Sequence, residues 1–196
     1  MIYALILAGG RGSRMGGADK GLLVHNGIAL IDFQLNQARE LGYLPLISAN
    51  RNVAEYAKRG VPVISDMQTT GIFEGPMSGV AAAITWLESN RTVSNDDVLL
   101  WWAVDTWIVP QEKQHNAQTH YQKQLTDIAS TGNGAVLLAD NTVQPTLAAM
   151  PRSAWQPLAA AYHNGERSLF KWLTQAKVAT VTLRDDDIMH NLNSVG

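Results

Sequence analysis

The sequence predicts an α/β fold: a single domain with a mostly parallel, twisted sheet and helices on both faces. Three observations carry that expectation. Short apolar runs alternate with segments of helical period from end to end, as in strands joined by helical crossovers. Val98–Val104 is an unbroken apolar run, as in a strand buried on both faces of a parallel sheet. Tyr3-Ala4-Leu5-Ile6-Leu7 breaks directly into the glycine-rich, cationic stretch Ala8–Lys20, so a buried strand delivers a phosphate-friendly loop to one sheet edge.

The elements follow in order. Ile2–Leu7 is the first strand. Ile31, Leu35 and Ala38 recur at helical spacing, with Gly42 placed to end that helix. Leu46–Ala49 is a second strand and Val61–Ile64 a short third, where Pro62 favours an edge or a strand start. Val80, Ala83, Ile84 and Leu87 mark a helix after the Gly75–Gly79 loop. Val98–Val104 is the most buried strand. Gln111–Ser130 is polar and Gln-rich and predicts an exposed helix, closed by Gly132-Asn133-Gly134. Ala135–Ala139 and Thr146–Met150 are strands around a turn at Asp140-Asn141. Ala154–Tyr162 and Ser168–Gln175 are helices, and Val178–Leu183 is the final strand. No internal repeat or linker interrupts the chain, so 1–196 reads as one domain.

In such sheets ligands bind outside the carboxyl ends of strands, near the point where strand order reverses. Four pieces of polar chemistry fall there: the glycine loop after the first strand, Asn50-Arg51 after the second, Asp66 after the third, and Asp105 after Val104. The loop is neither of two familiar phosphate binders. A dinucleotide fingerprint starting at Gly10 and Gly12 needs a glycine where Met15 stands, and a Walker A loop needs Ser or Thr after Lys20, where Gly21 stands. A carboxylate at a strand mouth, such as Asp105, suits a hard divalent cation that takes its other oxygens from substrate phosphates.

Composition narrows the function. The chain has 196 residues, 46% of them apolar, enough for a sizeable core. A formal net charge of −2 argues against a general nucleic-acid binder, so the loop cations form a local site. The chain has no cysteine, which excludes disulfides and thiolate metal sites. No apolar run approaches the length of a membrane span, and no cleavable signal precedes the first strand, so a cytoplasmic protein is expected. His115 and His120, five positions apart, point to different sides of a helix and read as solvated. Asp185-Asp186-Asp187 reads as an exposed turn, and the six tryptophans as core packing.

Leu7-Ala8-Gly9-Gly10, Ser13-Arg14-Met15-Gly16 and Asp19-Lys20 together resemble the signature of the nucleotidyltransferases. The spelling Met-Gly-Gly-Ala-Asp-Lys-Gly is most similar to that of the molybdenum cofactor guanylyltransferases. The resemblance runs along nearly the whole chain and implies a Rossmann-like nucleotidyltransferase fold. Its N-terminal part, roughly 1–110, would bind nucleotide, and its C-terminal part, roughly 111–196, would bind the acceptor. It implies transfer of GMP from GTP to the terminal phosphate of molybdopterin or Mo-molybdopterin, with pyrophosphate released and Mg2+ required. Other proteins of molybdenum cofactor synthesis are implied as candidate partners.

By the same resemblance, Arg14, Lys20 and Asp105 would act in catalysis, and Asp105 would hold the metal. Leu7, Ala8, Gly9, Gly10, Lys20, Ser48, Asn50, Asp66, Gly75, Gly79 and Asp105 would bind the nucleotide. Arg167, Asn191 and Asn193 would bind the acceptor, near Gln144-Pro145-Thr146. The chain departs from the family at three places. Ser48 replaces an asparagine used for the nucleotide, Trp107 replaces the proline of Asp-Thr-Pro, and Gly196 falls before a terminal helix, which predicts a less covered acceptor site. The rival expectations are transfer of CMP or UMP to a sugar or polyol phosphate, and a GTP-binding module without turnover.

Overall fold

Alternating side chains on apolar strands divide the core into two layers, one on each face of a central sheet. The computed structural model describes residues 1–9, 19–66, 75–110 and 117–191. The elements run β1 (Ile2–Leu7), the hairpin β2 (Val24–His25) and β3 (Ile28–Ala29), α1 (Leu30–Glu40), β4 (Leu44–Ser48), α2 (Val53–Ala57) and β5 (Val63–Ile64). They continue with α3 (Pro76–Asn90), β6 (Val98–Ala103), β7 (Thr106–Pro110), α4 (Ala117–Ala129), β8 (Ala135–Ala139) and β9 (Thr142–Pro151). α5 (Arg152–His163), α6 (Leu169–Gln175), β10 (Ala179–Thr182) and β11 (Asp187–Asn191) complete the chain.

The seven-stranded sheet has the order β10-β8-β9-β6-β1-β4-β5. Every strand but β9 runs in the same direction, because β9 pairs antiparallel with both β6 and β8 while the remaining pairings are parallel. On β1, Ala4 and Ile6 enter one core with α1, α2 and α4, while Tyr3, Leu5 and Leu7 enter the other with α3, α5 and α6. β6 repeats the pattern, with Leu100 and Trp102 on the first side and Leu99 and Trp101 on the second. Two buried faces explain why these strands read as continuous apolar runs rather than alternating ones. Trp101, Trp102 and Trp155 are fully buried, in keeping with the packing role expected of them. No helix among the described residues is long and apolar enough to cross a membrane.

Several expectations need correction. The Gln-rich helix is α4, and it is half buried: Gln118, Tyr121, Gln122, Leu125 and Thr126 all face the core. Gln118 and Gln122 are core amides rather than solvent-facing ones. Of the three consecutive aspartates, Asp185 and Asp186 form the exposed turn, but Asp187 is 5% exposed and opens β11. Its Oδ2 accepts from the Tyr121 hydroxyl, whose pKa is pushed up to about 12, first by burial and then by this bond. The last strand is therefore not β10 but β11, which forms a separate antiparallel pair with β7. β9 starts at Thr142 rather than Thr146, with a register irregularity between Val136 and Leu137 of β8 that leaves Pro145, Thr146 and Leu147 without a partner on β8.

Candidate active site

The chain steps outward from β1 through β4 to β5, then returns on the other flank of β1 as β6. Strand order therefore reverses between β1 and β6, and in sheets of this kind a ligand crevice is expected outside their carboxyl ends. The strand ends around it are locked together. Ala8 N donates to Ser48 O at 2.8 Å and Val104 N donates to Leu7 O at 3.0 Å. Leu7, Ala8 and Gly9 leave β1 at this edge; Gly10 and Arg14 lie outside the described residues.

Lys20 and Asp105 meet across the crevice. Lys20 Nζ donates to Asp105 Oδ2 at 2.6 Å, with the two side chains 25% and 15% exposed. Lys20 begins a single 3-10 turn, Lys20–Leu22, capped by the Asp19 carboxylate, which accepts from Gly21 N at 3.2 Å. Asp19 also accepts from Asn52 Nδ2 at 2.9 Å and from the Tyr56 hydroxyl. Burial, and then the adjacent carboxylate, drive the Tyr56 pKa well above the ordinary phenol value, so Tyr56 is a fixed donor. Asn52 and Tyr56, from the β4–α2 region, thus hold Asp19 and with it the turn that presents Lys20 to Asp105. Gly21 is required by close approach: a Cβ there would stand 2.3 Å from the Tyr56 oxygen. Gly21→Ala is expected to destabilise the protein by about 1–3 kcal/mol, read as a lower urea midpoint at unchanged slope. An unchanged midpoint would mean that this clamp yields freely.

On the β4–β5 side, Asn50 Oδ1 accepts from Asp66 N at 2.8 Å, and Asn50 Nδ2 stands 3.3 Å from where a Cβ on Gly9 would be. Asp66 Oδ2 lies 2.5 Å from Ser78 Oγ, which is also 2.7 Å from Gly75 O. Asp66 is thus held at the start of α3. Gly75 is the N-cap of α3 at φ 79° and ψ −177°, a conformation open essentially to glycine alone. Gly79 lies inside α3, and a Cβ there would be 2.5 Å from Ser48 Oγ. Gly79 therefore serves helix–strand packing, and Ser48, 3% exposed, is wedged beneath it.

Two of the acceptor candidates, Arg167 and Asn191, fall among the described residues. The Arg167 carbonyl lies 3.9 Å from the Cβ position of Gly75, which brings the α5–α6 connection against the start of α3. Its guanidinium packs 4.4 Å over the Tyr162 ring and donates to Tyr162 O at 2.6 Å. The cation expected to meet an anion is thus already engaged at the end of α5. The neighbouring Glu166 carboxyl is held down at about 2 by Lys171 and by the N–H groups of Ser168 and Arg167. Asn191 ends β11 with its backbone paired to Thr106, one residue from Asp105. Asn193 lies outside the described residues. Trp107 stacks on Phe33 with ring centroids 4.1 Å apart and planes 9° apart.

Among the described residues, no cluster of three His, Cys, Asp or Glu side chains could hold a metal ion by itself. One carboxylate at a crevice mouth does fit a cation that arrives with phosphate oxygens around it. Tyr56, Asn52 and Ser78 were not anticipated from the sequence. Asn52, at φ 49°, sits in a short loop before α2, an element with too few residues to show a period.

Residues 4–179 match the profile of the MobA-like NTP transferase domain. The chain belongs to the MobA-like NTP transferase family. It is therefore an enzyme of the nucleotidyltransferase class. A molybdenum cofactor guanylyltransferase of Cupriavidus metallidurans is 32% identical, over 99% of this chain and 91% of its own length. The enzyme of the same name from Serratia proteamaculans is 31% identical over 98% and 90%. The crystal structure of molybdopterin-guanine dinucleotide biosynthesis protein A from Archaeoglobus fulgidus shares the fold at a TM-score of 0.60. That likeness covers 92% of this chain and 82% of the other, at 19% identity.

Proposed function

We propose that this NTP transferase moves GMP from GTP to the terminal phosphate of molybdopterin or Mo-molybdopterin and releases pyrophosphate. The observation that carries the reading is the Lys20–Asp105 pair, 2.6 Å apart at the reversal point of the sheet. The names of the full-length relatives supply the choice of nucleotide and acceptor. GTP is available in the cytoplasm, where the enzyme would act.

An acceptor phosphate oxygen attacks the α-phosphorus, a P–O bond forms, and the bond to the β-phosphate oxygen breaks. No protein nucleophile is needed, so the chain contributes alignment and charge. Asp105 would hold Mg2+, which when bound supplies Lewis-acid neutralisation of the phosphate charge. Lys20 leaves the Asp105 carboxylate for the triphosphate and then for the departing pyrophosphate. Arg14, by the motif, would add a second cation to the same phosphates. Amides of residues 7–9, joined by that of Gly10 by the motif, would face the nucleotide, with Asn50 and Asp66 on its base or ribose side. Ser48 and Gly79 support that floor by packing, while Gly75 lets backbone lie close to the ligand. The C-terminal part, roughly 111–196, would carry the acceptor, with Arg167, Asn191 and Asn193 as its contacts.

The test offers GTP, ATP, CTP and UTP, each with molybdopterin and with a panel of sugar and polyol phosphates. Pyrophosphate release and product mass are read. GTP with molybdopterin is expected to be the productive pair. Turnover of CTP or UTP with a sugar or polyol phosphate would overturn the assignment, as would tight GTP–Mg2+ binding without any pyrophosphate release.

A further inference from the structure

Gln34 is a polar residue on the apolar stripe of α1, beside Ile31 and Leu35, and it is fully buried. Its Nε2 donates to Val104 O at 3.1 Å and to Thr106 O at 2.8 Å. Its Oε1 accepts from Trp102 Nε1 at 2.7 Å and from Gln118 Nε2 at 2.6 Å. A carboxamide offers two N–H groups and two acceptor positions, so these four partners saturate it. The two carbonyls it grips belong to the residues on either side of Asp105. Gripping both pins the Val104–Asp105 peptide plane and the Thr106–Trp107 plane, which bracket the turn that carries the Asp105 side chain.

The surrounding chemistry says why an amide is there. A Leu or Met would fill the same volume without any polar group to desolvate, whereas a buried amide is tolerable only when fully bonded. Residue 107 is Trp107, so no proline stiffens the turn. α1 holds the turn twice instead, through the Gln34 amide and through the Phe33–Trp107 ring stack.

We propose that Gln34 is a positioning residue that sets the Asp105 carboxylate for the nucleotide-bound cation. The inference rests on the assignment of Asp105 given under Proposed function. A misplacement of about 1 Å at a reacting centre can lower rate on the order of 10²-fold, so a clamp of this kind is kinetically visible.

The test compares Gln34→Met with Trp102→Phe. The first removes both grips on the turn; the second removes only one bond at the far end of the amide. Mn2+ affinity is measured by electron paramagnetic resonance on the full chain with a non-hydrolysable GTP analogue, alongside kcat, the Mg2+ half-saturation and Tm. Gln34→Met is expected to weaken Mn2+ binding about tenfold and lower kcat on the order of tenfold or more, while Trp102→Phe stays within about threefold at a similar loss of Tm. Losses that track Tm alone, with Mn2+ affinity unchanged in Gln34→Met, would overturn the proposal. Should Gln34→Met fail to fold, Gln118→Leu loosens the amide while leaving its donors. A weakening of Mn2+ binding of about two- to threefold is then expected, and none would sink the idea. Asp105→Asn separates the two layers. If it leaves Mn2+ affinity intact, the assignment of Asp105 has failed, and Gln34 has nothing to position.

Discussion

Asp105→Asn is expected to lower turnover of GTP with molybdopterin by about 10²–10³-fold, the usual loss when one preorganised electrostatic contact to a transition state is removed. The fold should survive. Asp105 stands in a turn at 15% exposure, and its partner Lys20, at 25%, can reach water once the carboxylate is gone. The substitution keeps shape and hydrogen bonding but removes the charge that neutralises a cation. The loss should therefore fall mainly on kcat and on the Mg2+ half-saturation, with Tm shifted by only a few degrees. The measurements are a Mg2+ titration of initial rates and a thermal melt of the same preparation. Turnover near that of the parent chain would remove the carboxylate from the mechanism.

The parts of the molecule legible in the sequence share a physical cause. β1 and β6 are buried on both faces, so their residues had to be apolar without alternation. The ends of such strands then mark the ligand edge, which is how Lys20 and Asp105 came to be named together. What was not legible had a weaker or misleading signal. β7 and β11 form a pair half exposed to water, with Val109 and Ile188 at 40% and 43% exposure, and such short strands leave no run to detect. α4 reads as a solvent helix because its buried side includes Gln118, Gln122 and Thr126. Gln118 joins the Gln34 amide behind the Asp105 turn, and Thr126 meets the Tyr43 hydroxyl in the core. Gln34 is hidden for the same reason: with Gln37 it is a polar interruption of an otherwise apolar stripe, which composition alone reads as noise. The packing of Gly79 against Ser48 depends on where α3 crosses the sheet, and no local pattern encodes that crossing. Propensity and period describe elements, whereas these residues answer to contacts between elements.

Lys20→Ala should separate two quantities that ordinarily fall together. Turnover is expected to drop about 10²–10³-fold, because a cation that stabilises the triphosphate and the leaving pyrophosphate is gone. The affinity of the nucleotide-free protein for Mn2+ is expected to rise. In the parent chain the Lys20 ammonium occupies Asp105 Oδ2 at 2.6 Å, so an incoming cation must displace it. Removing the ammonium frees the oxygen and leaves a local negative charge, and both changes favour a divalent ion. The double variant Lys20→Ala/Asp105→Asn should lose the gain in Mn2+ binding, and its turnover should be higher than the product of the two single losses predicts, because the groups act on one shared set of phosphates. A Lys20→Ala protein with unaltered or weakened Mn2+ binding would mean that the lysine does not guard the carboxylate. Fully multiplicative losses in the double variant would place the two groups at independent tasks.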